Sequence, residues 1–355
     1  MIACGGTGGH LFPGIAVAEA WEAQGGKAVL LISEKAVDAE ASSKYRGLTF
    51  ETIPAIAKPA TLSPRMLPFI LKFFRTAGLC RGVLKKHQAV AVLGMGGFTS
   101  LPPVRAGSKL KKPAFVHDSN AVPGKSNRLT ARYCDAVLLG LKAAESYFKG
   151  RRCEVTGTPV RKELDTLPDR ATACEKWGLN PAQKTVLVMG GSQGARNLNT
   201  MVAAAAHDLP DVQFLHLTGA ADAERVRGLI TDSNQHKVID FCDDMAAAYA
   251  ACDISVCRSG ASSLTELSHV GMPALLVPYP YAADDHQTAN AKVFADAGAC
   301  NLKQEDDLST GVLVSEIKAL LSQDELSARR AKMREMAEPQ AADNIVNVIK
   351  EALRA

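Results

Sequence analysis

Ten short runs of almost unbroken apolar character recur along the chain, at 2–4, 28–32, 89–93, 114–117, 136–139, 185–189, 213–217, 237–241, 254–257 and 274–277. A strand that is apolar on both faces has to be covered on both faces, as a parallel strand between two layers of helix is. Helical patterns fill the gaps, at 14–24 after the first run, 198–206 after the sixth and 261–270 before the tenth. This is β-α-β repetition carried through twice, and it predicts an α/β chain of two Rossmann-like, doubly wound parallel-sheet domains. The turn residues Thr156-Gly157-Thr158-Pro159 set the expected boundary, giving domains over 1–157 and 158–340 with a cleft between them as the default ligand site. Segment 341–355 carries Ile345, Val346, Val348, Ile349 and Leu353, an amphipathic helix expected to pack back near the first domain.

Composition narrows the class. Of 355 residues 47% are apolar and 22% charged, and no stretch approaches the roughly 18 uninterrupted apolar residues of a spanning helix. No basic segment followed by an apolar core and a cleavage site follows Met1, so a cytoplasmic compartment is expected. Nine cysteines without a C-x-x-C pair argue against a disulfide framework and a zinc cluster, and read as reduced, mostly buried thiols. Charge is divided unevenly: residues 1–160 hold 22 basic against 10 acidic side chains, whereas 161–355 hold 19 against 27. Between Glu51 and Asp118 eleven basic residues occur and no acidic one, a field that attracts an anionic surface or ligand.

Glycine clusters mark where the chemistry sits. Gly5-Gly6-Thr7-Gly8-Gly9-His10 joins the first strand to its helix, the place where a doubly wound sheet holds anions on backbone N–H donors. It is not the dinucleotide fingerprint, because Leu11 stands where the third glycine is required. His10 can accept a proton from an attacking hydroxyl near neutral pH, or can simply pack. Gly190-Gly191-Ser192-Gln193-Gly194-Ala195-Arg196 repeats the device in the second half, and its helix-end amides suit a diphosphate, with Arg161 or Arg258 adding charge-assisted bonds. Gly124-Lys125-Ser126 is no P-loop, since Ser119 replaces the required glycine. In Arg258-Ser259-Gly260-Ala261-Ser262-Ser263-Leu264-Thr265-Glu266, Ser262 or Ser263 can cap a helix with Glu266 closing a capping box. The alternative is that Glu266 accepts from two ribose hydroxyls. Asp284-Asp285-His286-Gln287-Thr288-Ala289-Asn290 offers polar groups for sugar hydroxyls and makes a weak metal set, resembling a helix start as much as ligands.

Taken in order, GGTGGH with Phe12-Pro13-Gly14, Gly94-Met95-Gly96-Gly97-Phe98, His117-Asp118-Ser119-Asn120 with Pro123-Gly124-Lys125, Gly191 to Ala195, Phe241 to Met245, Arg258 to Ala261 and Asp284 to Asn290 closely resemble the MurG family. The resemblance implies a GT-B fold and an inverting, metal-independent transfer of N-acetylglucosamine from UDP-GlcNAc to the 4-hydroxyl of MurNAc in lipid I, forming lipid II. No cofactor is implied. It also implies roles: Arg161 and Ser192, with Gln193 and Gly194, on the donor diphosphate; the Cys242 backbone on uracil; Ala261, Ser262, Ser263, Leu264, Thr265 and Glu266 along the nucleotide, with Glu266 on the ribose; Gln287 on the sugar. Thr7, Gly8, Gly9 and Asn120 complete the pocket on the acceptor side, and His10 is the candidate base. The family's usual His-Glu-Gln-Asn reads His117-Asp118-Ser119-Asn120 here, and Phe98 stands where some members have Tyr.

Membrane contact is expected from the residues themselves. Phe69, Ile70, Leu71, Phe73 and Phe74 lie among Arg65, Lys72, Arg75, Arg81, Lys85 and Lys86, with Pro68 suited to the first helical position. Such a helix, with Phe69, Ile70, Phe73, Lys72 and Arg75 as contacts, can lie on an anionic bilayer, or can be a core helix with solvated lysines. The resemblance implies the cytoplasmic face of the inner membrane as the location, with proteins of cell-wall synthesis or division as candidate partners. No base-stacking aromatics accompany the basic stretch, which argues against nucleic acid. The alternative enzyme reading is another GT-B protein acting on a UDP-sugar, a glycolipid synthase or an epimerase.

Overall fold

The computed structural model describes residues 1–354 except 36–37, 39–42, 55–63, 65 and 191–194. The chain forms two compact units, one of Met1–Arg161 with Glu338–Ala355 and one of Lys162–Ala337. The second unit is therefore an insertion within the first.

In the first unit seven parallel strands are ordered β3-β2-β1-β4-β5-β6-β7: β1 Ile2–Ala3, β2 Val29–Ile32, β3 Thr49–Thr52, β4 Val92–Gly94, β5 Ala114–Asp118, β6 Ala136–Leu139 and β7 Cys153–Val155. The second sheet has six parallel strands ordered β10-β9-β8-β11-β12-β13: β8 Lys184–Met189, β9 Val212–Leu217, β10 His236–Ile239, β11 Ile254–Cys257, β12 Ala274–Leu276 and β13 Cys300–Leu302. Each sheet reverses its winding once, between β1 and β4 and between β8 and β11. In a doubly wound sheet that reversal opens a crevice at the carboxyl ends of the strands.

The central strands are those whose residues are apolar on both faces: Leu30 and Leu31 of β2, Val137 to Leu139 of β6 and Val186 to Val188 of β8 are all excluded from solvent. Burial on this scale, about 1.5–3 kcal/mol for each large aliphatic side chain, dominates the stability of each sheet. Local chemistry sets several helix ends. Asp169 accepts from the Thr172 N–H at 3.0 Å to open helix Arg170–Trp177, which ends at left-handed Gly178; Asp244 opens Met245–Ala251 by accepting from the Ala247 N–H at 3.0 Å. Helix Ala341–Arg354 buries Ile345, Val346 and Ile349 against helix Gly8–Ala23 in the first unit's core, while Leu353 stays exposed.

All nine cysteines are free thiols, six of them buried. Among the described residues no helix is long and apolar enough to cross a membrane.

Candidate active site

The first unit's loop lies at its winding reversal. Helix Gly8–Ala23 begins six residues earlier than the apolar pattern suggested, so His10 sits within the first turn rather than ahead of it. Its Nδ1 is 3.1 Å from Thr7 Oγ1, and the ring rests on the β4 loop. A Cβ on Gly96 would come within 2.9 Å of His10 Cδ2 and Nε2; Gly96 also has φ +119, so only glycine fits beneath the imidazole. Ser100 fixes this loop, its hydroxyl donating to Ala3 O and accepting from the Gly96 N–H at 3.1 Å. Asp38 holds the other side, accepting from the Gly6 N–H at 2.9 Å and the Ser33 N–H at 2.8 Å, while Lys35 Nζ donates to Gly6 O at 2.8 Å. Burial, reinforced by the Lys35 charge and opposed by Asp38, lowers the His10 pKa to about 4. The imidazole is neutral at pH 7 and can accept a proton.

At the end of β5, His117 and Asp118 are both buried. His117 Nε2 is 2.9 Å from the Gly157 carbonyl, so it carries the proton, and Nδ1 has no hydrogen-bond partner among the described residues. Burial lowers this pKa too to about 4. The shortened carboxylate of Asp118 is fully engaged. Oδ1 accepts from the Asn120 N–H at 2.9 Å and Asn120 Nδ2 at 3.2 Å; Oδ2 accepts from the Gly124 N–H at 3.1 Å and Asn127 Nδ2 at 2.8 Å. Asp118 thus ties the Asn120 loop to the start of helix Lys125–Thr130, although burial still raises its pKa against those donors. Arg161 stacks over Phe12, 4.8 Å from the ring centroid, which brings its guanidinium beside the start of helix Gly8–Ala23.

In the second unit, residues 191–194, and with them Ser192, Gln193 and Gly194, lie outside the described residues. Helix Arg196–Ala206 follows them. Helix Ala261–Val270 is capped by Gly260 with no side-chain cap, so neither Ser262 nor Ser263 caps it; both lie in its first turn with Ala261. The capping-box role for Glu266 falls with that. Glu266 instead accepts from the Tyr249 hydroxyl at 2.8 Å, one turn on from Ser262 and Ser263. Arg258 is also corrected. It is buried, donates to Val277 O at 3.1 Å and Pro278 O at 3.0 Å, and is neutralised by Glu305, so it braces the β11 and β12 loops rather than holding a diphosphate. Gln287 Oε1 accepts from the Tyr279 N–H at 2.9 Å, and Ser259 donates to Gln287 O at 2.8 Å, drawing the Asp284–Asn290 segment to the start of helix Ala261–Val270. Asp284 and Asp285 hold left-handed backbone (φ 53 and 50), a local cost at this turn. Cys242 is half-buried, and next to it Phe241 presents a ring that is 69% exposed at the carboxyl edge of the sheet, a contact surface that the strand pattern had absorbed into its eighth run.

Comparison with known proteins places both units in one family. Residues 1–139 match the glycosyltransferase family 28 N-terminal domain and residues 185–345 its C-terminal domain. The UDP-N-acetylglucosamine–N-acetylmuramyl-(pentapeptide) pyrophosphoryl-undecaprenol N-acetylglucosamine transferase of Halothermothrix orenii is 32% identical, over 99% of this chain and 98% of that protein. Its counterpart in Anaeromyxobacter sp. (strain K) is 36% identical, over 100% and 93%. The crystal structure of Acinetobacter baumannii MurG superposes with a TM-score of 0.77 at 29% identity, covering 99% of this chain and 98% of that one.

The chain belongs to the MurG family. Its fold is GT-B, two all-parallel α/β sheets. Thr7, Gly8, Gly9, His10, Asn120 and Arg161 of the first unit, and Cys242, Ala261 to Glu266 and Gln287 of the second, each follow the carboxyl end of a strand of their own sheet.

The basic helix, Met66–Lys86, departs from the expected contact face. Its described start puts Pro68 third rather than first. It packs on helix Gly97–Lys109, which turns Phe69 edge-on to Phe98 and leaves Phe69 and Phe73 half-buried rather than on the outer face. Arg105 lies over Phe73 and Phe74. The outward large apolar residues are Leu67, Ile70, Leu71, Phe74 and Leu79, with Leu71 and Phe74 65% and 54% exposed, and Lys72, Arg75, Arg81 and Lys85 lie beside them.

Proposed function

We propose that this protein transfers N-acetylglucosamine from UDP-GlcNAc to the 4-hydroxyl of MurNAc in undecaprenyl-pyrophosphoryl-MurNAc-pentapeptide, forming lipid II. The observation that carries this reading is kinship along the whole chain, 32–36% identity through both units, with enzymes named for that reaction. The hydroxyl oxygen bonds to the anomeric carbon as the carbon–phosphate oxygen bond breaks with inversion; the proton passes to His10 and the electron pair leaves on UDP. Thr7 orients the ring through Nδ1, which leaves Nε2 to take the proton. Arg161 is the cation for the donor diphosphate, and the first backbone N–H groups of helix Arg196–Ala206 supply further donors for the leaving charge. Glu266, steadied by Tyr249, accepts from the ribose hydroxyls; Phe241 and the Cys242 backbone meet the base; the Gln287 amide nitrogen reads the sugar.

The helix Met66–Lys86 docks the protein on the anionic cytoplasmic face of the membrane, through Leu67, Ile70, Leu71 and Phe74 with the basic residues beside them. Incubation with UDP-GlcNAc and a short-chain lipid I analogue, reading UDP release and disaccharide product together, tests the reaction. UDP-GlcNAc binding without transfer to that analogue would overturn the acceptor assignment. Equal recruitment by neutral and anionic vesicles would overturn the electrostatic part of the docking.

A further inference from the structure

A second concavity lies in the second unit at the opposite edge of its sheet from the candidate active site, where β8 and β11 begin. Its volume is about 480 Å³, and Arg170, Lys184, Arg330 and Arg334 line it, with Asp253 as the one carboxylate among the lining residues. Asp253 is 7% exposed and shared: Oδ2 accepts from Arg170 Nη2 and the Thr185 N–H, each at 2.9 Å, while Oδ1 faces Lys184 Nζ at 3.3 Å and Arg330 Nη2 at 3.9 Å. One carboxylate cannot balance four cations. The concentration is not background either, because residues 161–355 are acidic overall.

These cations are held in place rather than merely solvated. Arg170 donates to Pro181 O at 3.0 Å and Gln183 O at 2.8 Å, which locks its guanidinium plane. Arg334 lies flat on Gly271, where a Cβ would meet its Nε at 2.6 Å, and it makes no ion pair among the described residues. The carboxyl end of helix Ala261–Val270 beneath it offers only about half a negative charge. The held guanidinium groups of Arg170 and Arg334 beside a concavity of this size suit the oxygens of a phosphate or diphosphate, and cations in excess of their one carboxylate repel one another until an anion arrives.

We propose that this concavity binds a soluble phosphate-class anion, at a site separate from the donor site. The test is calorimetric titration of inorganic pyrophosphate into protein already saturated with UDP, so that the candidate active site is filled. The wild-type chain should still bind one pyrophosphate. Arg334→Ala and Lys184→Ala, which both change exposed side chains, should each weaken it at least about fivefold, and together by more than tenfold. Absence of binding to the UDP-saturated wild type would overturn the proposal, as would unchanged affinity in both variants. Sedimentation with phosphatidylglycerol vesicles is the second arm: loss of vesicle binding in the variants with pyrophosphate binding intact would reassign the cations to a lipid headgroup and overturn the soluble site.

Discussion

Replacing Gly96 by alanine tests the position of His10 without touching His10 itself. The new methyl would stand 2.9 Å from Cδ2 and Nε2 of the imidazole and 3.3 Å from Asn127 Nδ2, where ordinary contact begins near 3.4 Å. The ring must therefore retreat by about half an ångström, and a residue with a side chain at φ +119 adds strain of about 1–3 kcal/mol to the loop. Misplacement of a reacting group by about 1 Å costs on the order of 100-fold in rate. Gly96→Ala should then lower kcat about 10- to 100-fold while UDP affinity stays within about twofold, because no donor-binding residue of the second unit is moved. Gly97→Ala is the matched control. There φ is +72 and the nearest imidazole atom is 3.3 Å away, so it carries the backbone cost with little push on the ring. Steady-state turnover with a lipid I analogue, UDP titration and thermal melting separate the effects. A folded Gly96→Ala protein with kcat within twofold of wild type would refute the role of His10 placement.

Asp118→Ala removes the acceptor of four hydrogen bonds in a buried loop, so chemical denaturation should register a loss of about 2–4 kcal/mol; a loss below about 0.5 kcal/mol would mean that the loop finds other partners. His117, His216 and His236 are buried with pKa values lowered by burial to about 4, 3 and 4, so the unfolded chain takes up their protons first as pH falls. Their contribution is complete above pH 6.5 and is lost as pH falls toward 4, at up to about 1.4 kcal/mol per pH unit for each group, and denaturation curves that coincide at pH 7 and pH 5 would contradict it. Glu266→Ala should weaken UDP binding at least about fivefold with little change in melting temperature, and calorimetry giving an unchanged Kd would remove Glu266 from the ribose.

Nine of the ten strands legible in the sequence lie inside their sheets; the tenth, His236–Ile239, is an edge. The three missed, Thr49–Thr52, Cys153–Val155 and Cys300–Leu302, are all sheet edges, where one side of the strand meets solvent and polar residues such as Glu51, Glu154 and Asn301 are tolerated. Site loops were readable because glycine clusters between a strand and a helix serve a backbone requirement that few other sequences meet. What could not be read were the partners. Arg258 is held by Glu305 and Glu266 by Tyr249, pairs that sequence separation hides; Asp118 looked like a weakened motif residue until its four donors were in view. The basic helix was read with its wide apolar face outward, because nothing in the segment reveals that helix Gly97–Lys109 claims Phe69 and Phe73.

The return of helix Ala341–Arg354 to the first unit gives synthesis of this chain an enforced order. Residues 162–337 are complete before Ile345, Val346 and Ile349 leave the ribosome, so the inserted unit can reach its native state while its host still lacks part of one core wall. Until then Leu11, Ile15 and their neighbours face water or a chaperone. The half of the protein made first is the half that finishes last, and loss of helix Ala341–Arg354 would leave one sound unit and one open one.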